Sequence, residues 1–259
     1  MSSLGYTSVP VLLKYLRYAE HLGVNCEAAL QAAQISSAAL RDNSQRVPSE
    51  AHERLLEELT QACADPLFGL HSARFVQPGS WSVLGYITMN CATLGEAMSR
   101  VMPFEKLVGD MGVSRIETAA EQVRMIWSCR HQGAEIRRHM VENVLASWLL
   151  YARWIADAQH SPAAVWFEHA QPAGTQLSDY SAVFGCPVEF EQPCNALLVP
   201  VEYLGVALRQ ADANLLRSDL PIQDIANYLG FTEARSFHRS FKGWTGMTPG
   251  EFREKARQG

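Results

Sequence analysis

Residues 222–253 read IQDIANYLGFTEARSFHRSFKGWTGMTPGEFR, and this stretch decides how the C-terminal part of the chain is built. Ile222, Ile225, Ala226 and Leu229 recur at helical offsets, which places an apolar stripe along a short helix. Gly230 lets the chain leave that helix in a left-handed conformation, where a β-carbon would clash. Phe231 turns back to the core, and Thr232 is placed to cap a second helix that opens on Glu233, Ala234 and Arg235. In that second helix Phe237 and Phe241 share a buried face with Ala234 and Trp244. Arg235, Ser236, His238, Arg239 and Lys242 occupy the other side. Two short helices, a glycine turn and a basic outer face are the parts of a helix-turn-helix.

A helix that reads a duplex must offer long donors to guanine N7 and O6 and to phosphates, while an apolar back holds it rigid. Arg235 and Arg239, four apart, are the candidates for base edges or adjacent phosphates. Ser236 and His238 are candidates for edge or backbone contacts, and Lys242 for a phosphate. The ordinary alternative is a solvated helix face. Another is a protein-docking surface made of exposed Phe237, Phe241 and Trp244.

The same residues resemble the second helix-turn-helix and closing signature of the AraC/XylS family of bacterial transcription regulators. The likeness runs through Ile222, Ile225 and Ala226, then Leu229-Gly230-Phe231, then Ser236, Phe237, Arg239 and Phe241-Lys242. It ends on Gly246, Thr248-Pro249 and Phe252-Arg253. Thr248, Pro249 and Glu251 form a small capping box for a last helix. Pro221 departs from the serine-like cap usual in the family, with little expected damage because proline presets φ. The resemblance implies double-stranded promoter DNA as partner, a homodimer, a small-molecule effector and contact with RNA polymerase. It also implies a cytoplasmic activator, with no cofactor. Family members carry a further helix-turn-helix and a joining helix ahead of this one. We therefore expect Leu216–Arg217 to be the edge of a segment absent from the sequence; a true internal deletion, leaving one helix-turn-helix and weak binding, is the rival.

Charge is divided along the chain. The net charge is −5, yet from Arg217 onward there are seven Lys/Arg against five Asp/Glu, and the acidic excess lies before that point. An acidic body with a slightly basic tail fits two jobs on one chain. Near-half apolar composition fits an ordinary globular protein. The apolar run VLASWLLYARWI (144–155) is interrupted by Arg153 and suits a core helix better than a bilayer crossing. Six scattered cysteines include no CxxC pair, so they are expected to be buried thiols and no metal site is expected.

The preceding residues are expected to form an α+β domain with a small sheet and many helices, spanning 1–210, ahead of the all-α tail at 211–259. Helical periodicity predicts helices over Val9–Leu22, Cys26–Ala33, Ser37–Leu40, Ser49–Cys63 and Leu67–Ala73, the last opened by Asp65-Pro66. Thr93 and Glu96 suggest a capping box. Gly79–Asn90 reads equally as helix or as a loop-flanked buried segment. Strands are expected at Val113–Thr118, Gln122–Arg130, Ala164–Glu168 and Val188–Phe190, and helices at Ala134–Asp157, Leu177–Phe184 and Pro200–Arg209. This region resembles, more loosely, the arabinose-binding-like N-terminal domain of one branch of the family. GSWSVLGYITMNCATLGEAM and LSDYSAVFGCPVEFEQPCNALLVP carry that likeness.

A pocket between sheet and long helix would draw its polar groups from His139, Glu142, Asn143 and Tyr151, with Trp81 and Tyr86 on a second wall. Each also fits a plain packing or surface role. No GxSxG, HExxH, phosphate loop or dinucleotide fingerprint occurs, so no catalytic residue is expected. The competing function is a metabolite-binding or dimerising protein whose helix-turn-helix is incomplete and does not bind DNA tightly.

Overall fold

The computed structural model describes residues 4–119, 121–208, 222, 223, 226, 233–245 and 247–258. The junction at Leu216–Arg217, the cap at Thr232, the turn at Gly230 and most of the first tail helix lie outside the described residues. So does the side chain of Trp244.

An antiparallel pair of three-residue strands, β1 (Tyr6–Ser8) and β2 (Arg46–Pro48), clasps the N-terminal helices. Those are α1 (Val9–His21), α2 (Glu27–Ala32) and α3 (Ser49–Cys63). In α3, Leu55, Leu56 and Leu59 are fully buried, as the i, i+1, i+4 spacing requires of one helix face. The expected helix at Ser37–Leu40 is a single 3-10 turn, Ala39–Arg41. After α4 (Phe68–Ser72), the ambiguous segment resolves into a 3-10 turn, Pro78–Trp81, followed by α5 (Ser82–Met89). Helix α6 (Leu94–Phe104) is capped by Thr93, whose Oγ1 accepts from the Glu96 backbone at 3.2 Å. The Glu96 carboxylate reaches Ala92 N–H at 2.9 Å, one residue earlier than a complete capping box.

The body is a five-stranded sheet in the order β3-β4-β7-β5-β6. It comprises β3 (Gly112–Thr118), β4 (Gln122–Cys129), β5 (Ala164–Trp166), β6 (Val188–Glu189) and β7 (Ala196–Pro200). All neighbours pair antiparallel except β5 and β6, which run parallel and are joined through α8 (Leu177–Phe184). One strand was not anticipated and one expected helix is corrected here. Ala196–Pro200 is a strand at the centre of the sheet that alternation did not reveal, because both its faces are buried. The helix expected at Pro200–Arg209 is a short 3-10 turn, Val201–Gly205; the chain beyond it lies against the start of α6, with Leu94 N–H donating to Val206 C=O and Leu208 N–H to Ala92 C=O.

Val123, Met125 and Trp127 of β4 face the main core, where the 23-residue helix α7 (Ala134–Ala156) packs. The other face is also covered: Ile126, Ala164, Ala196 and Leu198 form a small second cluster, and the Arg124 guanidinium lies 5.1 Å from the Trp166 ring centre. Among the described residues no helix is long and apolar enough to cross a membrane.

Candidate functional sites: an outward basic helix and an apolar cavity

The tail holds α9 (Ala234–Thr245) and α10 (Pro249–Gln258). Thr248 and Glu251 form the anticipated reciprocal cap. Glu251 N–H donates to Thr248 Oγ1 at 3.2 Å, and Thr248 N–H donates to the Glu251 carboxylate at 2.6 Å. On α9, Phe237 is 1% and Phe241 8% exposed, their ring centres 5.5 Å apart, which removes two of the three rings needed for an aromatic docking surface. Arg235, Arg239 and Lys242 are exposed, and Ser236 and His238 half-buried. The arginines therefore share a solvent-facing side opposite the aromatic anchor. Arg239 is close enough to the N-terminal body to help hold the Asp42 carboxyl below its usual range, a smaller influence than the Ser44 and Gln45 hydrogen bonds there.

In the N-terminal body a cavity of about 140 Å³ opens between α1, α5, α6, α7 and the sheet. Its wall is mostly apolar, including Leu84, Met98, Met125, Trp127, Val144 and Leu197. Trp81 and Tyr151 line it, with ring centres 4.6 Å apart at nearly right angles. The Tyr151 hydroxyl is held by Gly85 C=O and lies 3.2 Å from Thr88 Oγ1. Burial pushes the Tyr86 phenol up to about 12, but that side chain is not part of the cavity wall.

His139, Glu142 and Asn143 lie outside the wall, in a latch between α7 and its neighbours. Asn143 donates to Gly69 C=O at 3.1 Å and to Ser72 Oγ at 2.9 Å, and Gly69 N–H donates to His139 Nδ1 at 3.2 Å. Glu142 accepts from Tyr180 at 2.6 Å and from Arg138 at 3.2 Å. Sequence reasoning thus found polar groups on the right helix, but a helix this long has several buried sides.

That latch makes acid stability testable. Burial lowers His139 to about 3 and His169 to about 4, and holds His52 well below 6.5. Each histidine therefore contributes stability that is present above about pH 6.5 and is lost as pH falls toward its folded value. Burial raises Glu142 to about 7 against the pull of Arg138 and Tyr180, so this one group contributes the opposite slope between about 7 and 4.5. Three groups outweigh one. The urea midpoint, followed by tryptophan fluorescence, should fall steadily from pH 6.5 to 4.5; a flat or rising midpoint would contradict these environments.

The side chain that sequence reasoning missed is Lys14 of α1. It is 1% exposed and lines the cavity; its one hydrogen bond among the described residues is a long one, 3.5 Å, to Ser147 Oγ. The signal was a lysine on the same helical side as Val11 and Tyr18. All six cysteines are free, and burial pushes Cys26, Cys129 and Cys186 up to about 11, the wrong direction for a reactive thiolate. Among the described residues no group of His, Cys, Asp and Glu is placed to hold a metal.

Comparison with known families decides what these two features belong to. Residues 23–208 match the family described as the arabinose-binding domain of AraC transcription regulator, N-term, and residues 201–255 match a helix-turn-helix domain. The chain belongs to the AraC family. The ornithine utilization regulator of Pseudomonas aeruginosa is 21% identical over 315 residues, covering 90% of this chain and 91% of that protein. The crystal structure of the transcriptional regulator CdpR from Pseudomonas aeruginosa shares the fold, with a TM-score of 0.53 at 15% identity over 88% of this chain and 96% of that one. As in the AraC plan, a ligand-responsive body here precedes a DNA-binding helix-turn-helix.

Proposed function

We propose that this AraC-type regulator reads promoter DNA through the outward side of α9, with Arg235 and Arg239 at base edges. Ser236, His238 and Lys242 hold the adjacent backbone. The carrying observation is the geometry of α9: two exposed arginines backed by two buried phenylalanine rings. The effector site is the apolar cavity, with Trp81 and Tyr151 in its wall, and the chain works in the cytoplasm as a homodimeric activator in contact with RNA polymerase. It has no catalytic role; the relatives found are regulators. His139, Glu142 and Asn143 act on the effector site only through the latch that fixes α7.

We divide the chain at about residue 210 and read Leu216–Arg217 as the place where a preceding helix-turn-helix is missing. The matched span of 315 residues exceeds the 259 of this chain, which supports a stretch present in the relative and lacking here. The relative's name points to ornithine as the concern of that protein; a wall this apolar is a poor host for an amino acid with two ammonium groups and a carboxylate, so the likeness carries the plan and not the ligand.

Titrating a promoter fragment at several salt concentrations tests the reading. Phosphate contacts release counterions, so log K should fall linearly and steeply with log salt, by roughly 0.9 per phosphate contacted. Affinity that is weak throughout and indifferent to salt would favour the metabolite-binding alternative.

A further inference from the structure

We infer that the cavity takes an amphipathic monocarboxylate, whose head pairs with Lys14 while its apolar body fills the remaining space. This rests on the reading of the cavity as the effector site.

Three side chains that line the cavity carry charge: Lys14, Glu105 and Arg153. Two already have strong partners. Glu105 accepts from the Ser114 backbone N–H at 2.7 Å. Arg153 donates to the carbonyls of His160, Val183 and Phe184 at 2.7–2.9 Å, closing the C-terminal end of α8. Among the described residues Lys14 has only the distant Ser147 hydroxyl, and its nitrogen sits 5.4 Å from the Tyr15 ring centre. A buried ammonium without a counter-charge is costly, and burial accordingly brings Lys14 down to about 7. Among the described residues no carboxylate lies near enough to offset that burial. Its titratable neighbour is His52, which burial first, and then the Coulombic influence of His131 and Lys14, holds well below 6.5.

A carboxylate ligand would supply the missing charge through a short, charge-assisted hydrogen bond in a poorly solvated site. A neutral alcohol would fill the space and leave Lys14 as it is. An amine would bring a second cation beside Lys14. Size sets the body: an apolar cavity of about 150 Å³ accommodates benzene, so a chain of about six to eight carbons is the appropriate scale for 140 Å³. Three tryptophans in the wall, Trp81, Trp127 and Trp148, supply an optical signal.

The full chain should be titrated with octanoate, octan-1-ol and octylamine by tryptophan fluorescence and calorimetry. Octanoate should bind about ten- to a hundredfold tighter than either analogue. Lys14→Met should bring octanoate down to the level of octanol. It should also raise the urea midpoint of the unliganded protein, because a lysine kept for packing alone would lose stability when replaced. Comparable binding of octanol and octanoate to the wild type overturns the role of Lys14 and leaves the cavity reading standing; this arm needs no variant. An octanoate preference that survives Lys14→Met also overturns it. If none of the three probes perturbs the tryptophans or releases heat, the cavity reading falls and this inference with it.

Discussion

Arg239→Ala should lower affinity for the operator by about five- to over a hundredfold while leaving binding to random DNA within about twofold. One bidentate arginine–guanine contact contributes roughly 1–3 kcal/mol of discrimination, whereas a single phosphate contact weakens all sequences alike. Arg239 can serve the first role because its helix cannot roll away: the adjacent Phe237 is 1% exposed, and Phe241 lies against it. Lys242→Ala should behave as the complement. Its loss should weaken specific and random binding together and make the salt slope shallower by about one. Competition titrations of both variants against a labelled operator at two salt concentrations separate the roles. Equal loss on operator and random DNA for Arg239→Ala would reassign that arginine to the backbone.

Gly69→Ala should destabilise the N-terminal body by about 3 kcal/mol, a large effect for one methyl group. A β-carbon at Gly69 would sit 2.1 Å from His139 C=O and 2.6 Å from His139 Cα. These are backbone atoms of α7, so no side-chain rotation relieves the overlap. Helix α4 would have to withdraw, stretching the Gly69–His139 and Asn143–Gly69 hydrogen bonds of 3.2 and 3.1 Å. For a body of this size the melting temperature should drop by about 6–12 °C. Gly205→Ala provides the control, since a β-carbon there meets nothing within 4 Å. If both variants melted alike, the close α4–α7 crossing would be refuted.

The parts of this fold that were legible in the sequence are those that one-sided burial governs. Helices α3 and α8 were read to the bounds the structure gives them, because each shows one apolar side and clear flanking residues. Strand β4 was visible because Val123, Met125, Trp127 and Cys129 make one face wholly apolar while Arg124 and Ser128 break up the other, although Ile126 on that other face is also buried. Strand β7 was not: Ala196–Val199 is buried on both faces, which erases the two-residue period that marks a strand. The pair β1–β2 escaped notice because three residues are too short for any periodic signal, and its partners lie far apart in sequence.

The two sites differed in the same way. The α9 side chains could be sorted from the helical period alone, since an exposed face and an aromatic back lie on one element. The cavity wall is assembled from elements distant in sequence, so only Trp81 and Tyr151 among the proposed effector residues lie on it. His139, Glu142 and Asn143 share a helix with Tyr151 but turn toward α4 and α8. Lys14 passed unnoticed because α7, whose Ser147 lies against it, is more than a hundred residues away in sequence.

The most direct test is chemical protection of guanine N7 on a DNA site selected by the full chain from a random pool. A helix carrying Arg235 and Arg239 into the major groove should shield a few guanines there from dimethyl sulfate, and Arg239→Ala should free at least one of them. Saturating binding that leaves every guanine N7 reactive, or a protection pattern unchanged when both arginines become alanine, would contradict the account.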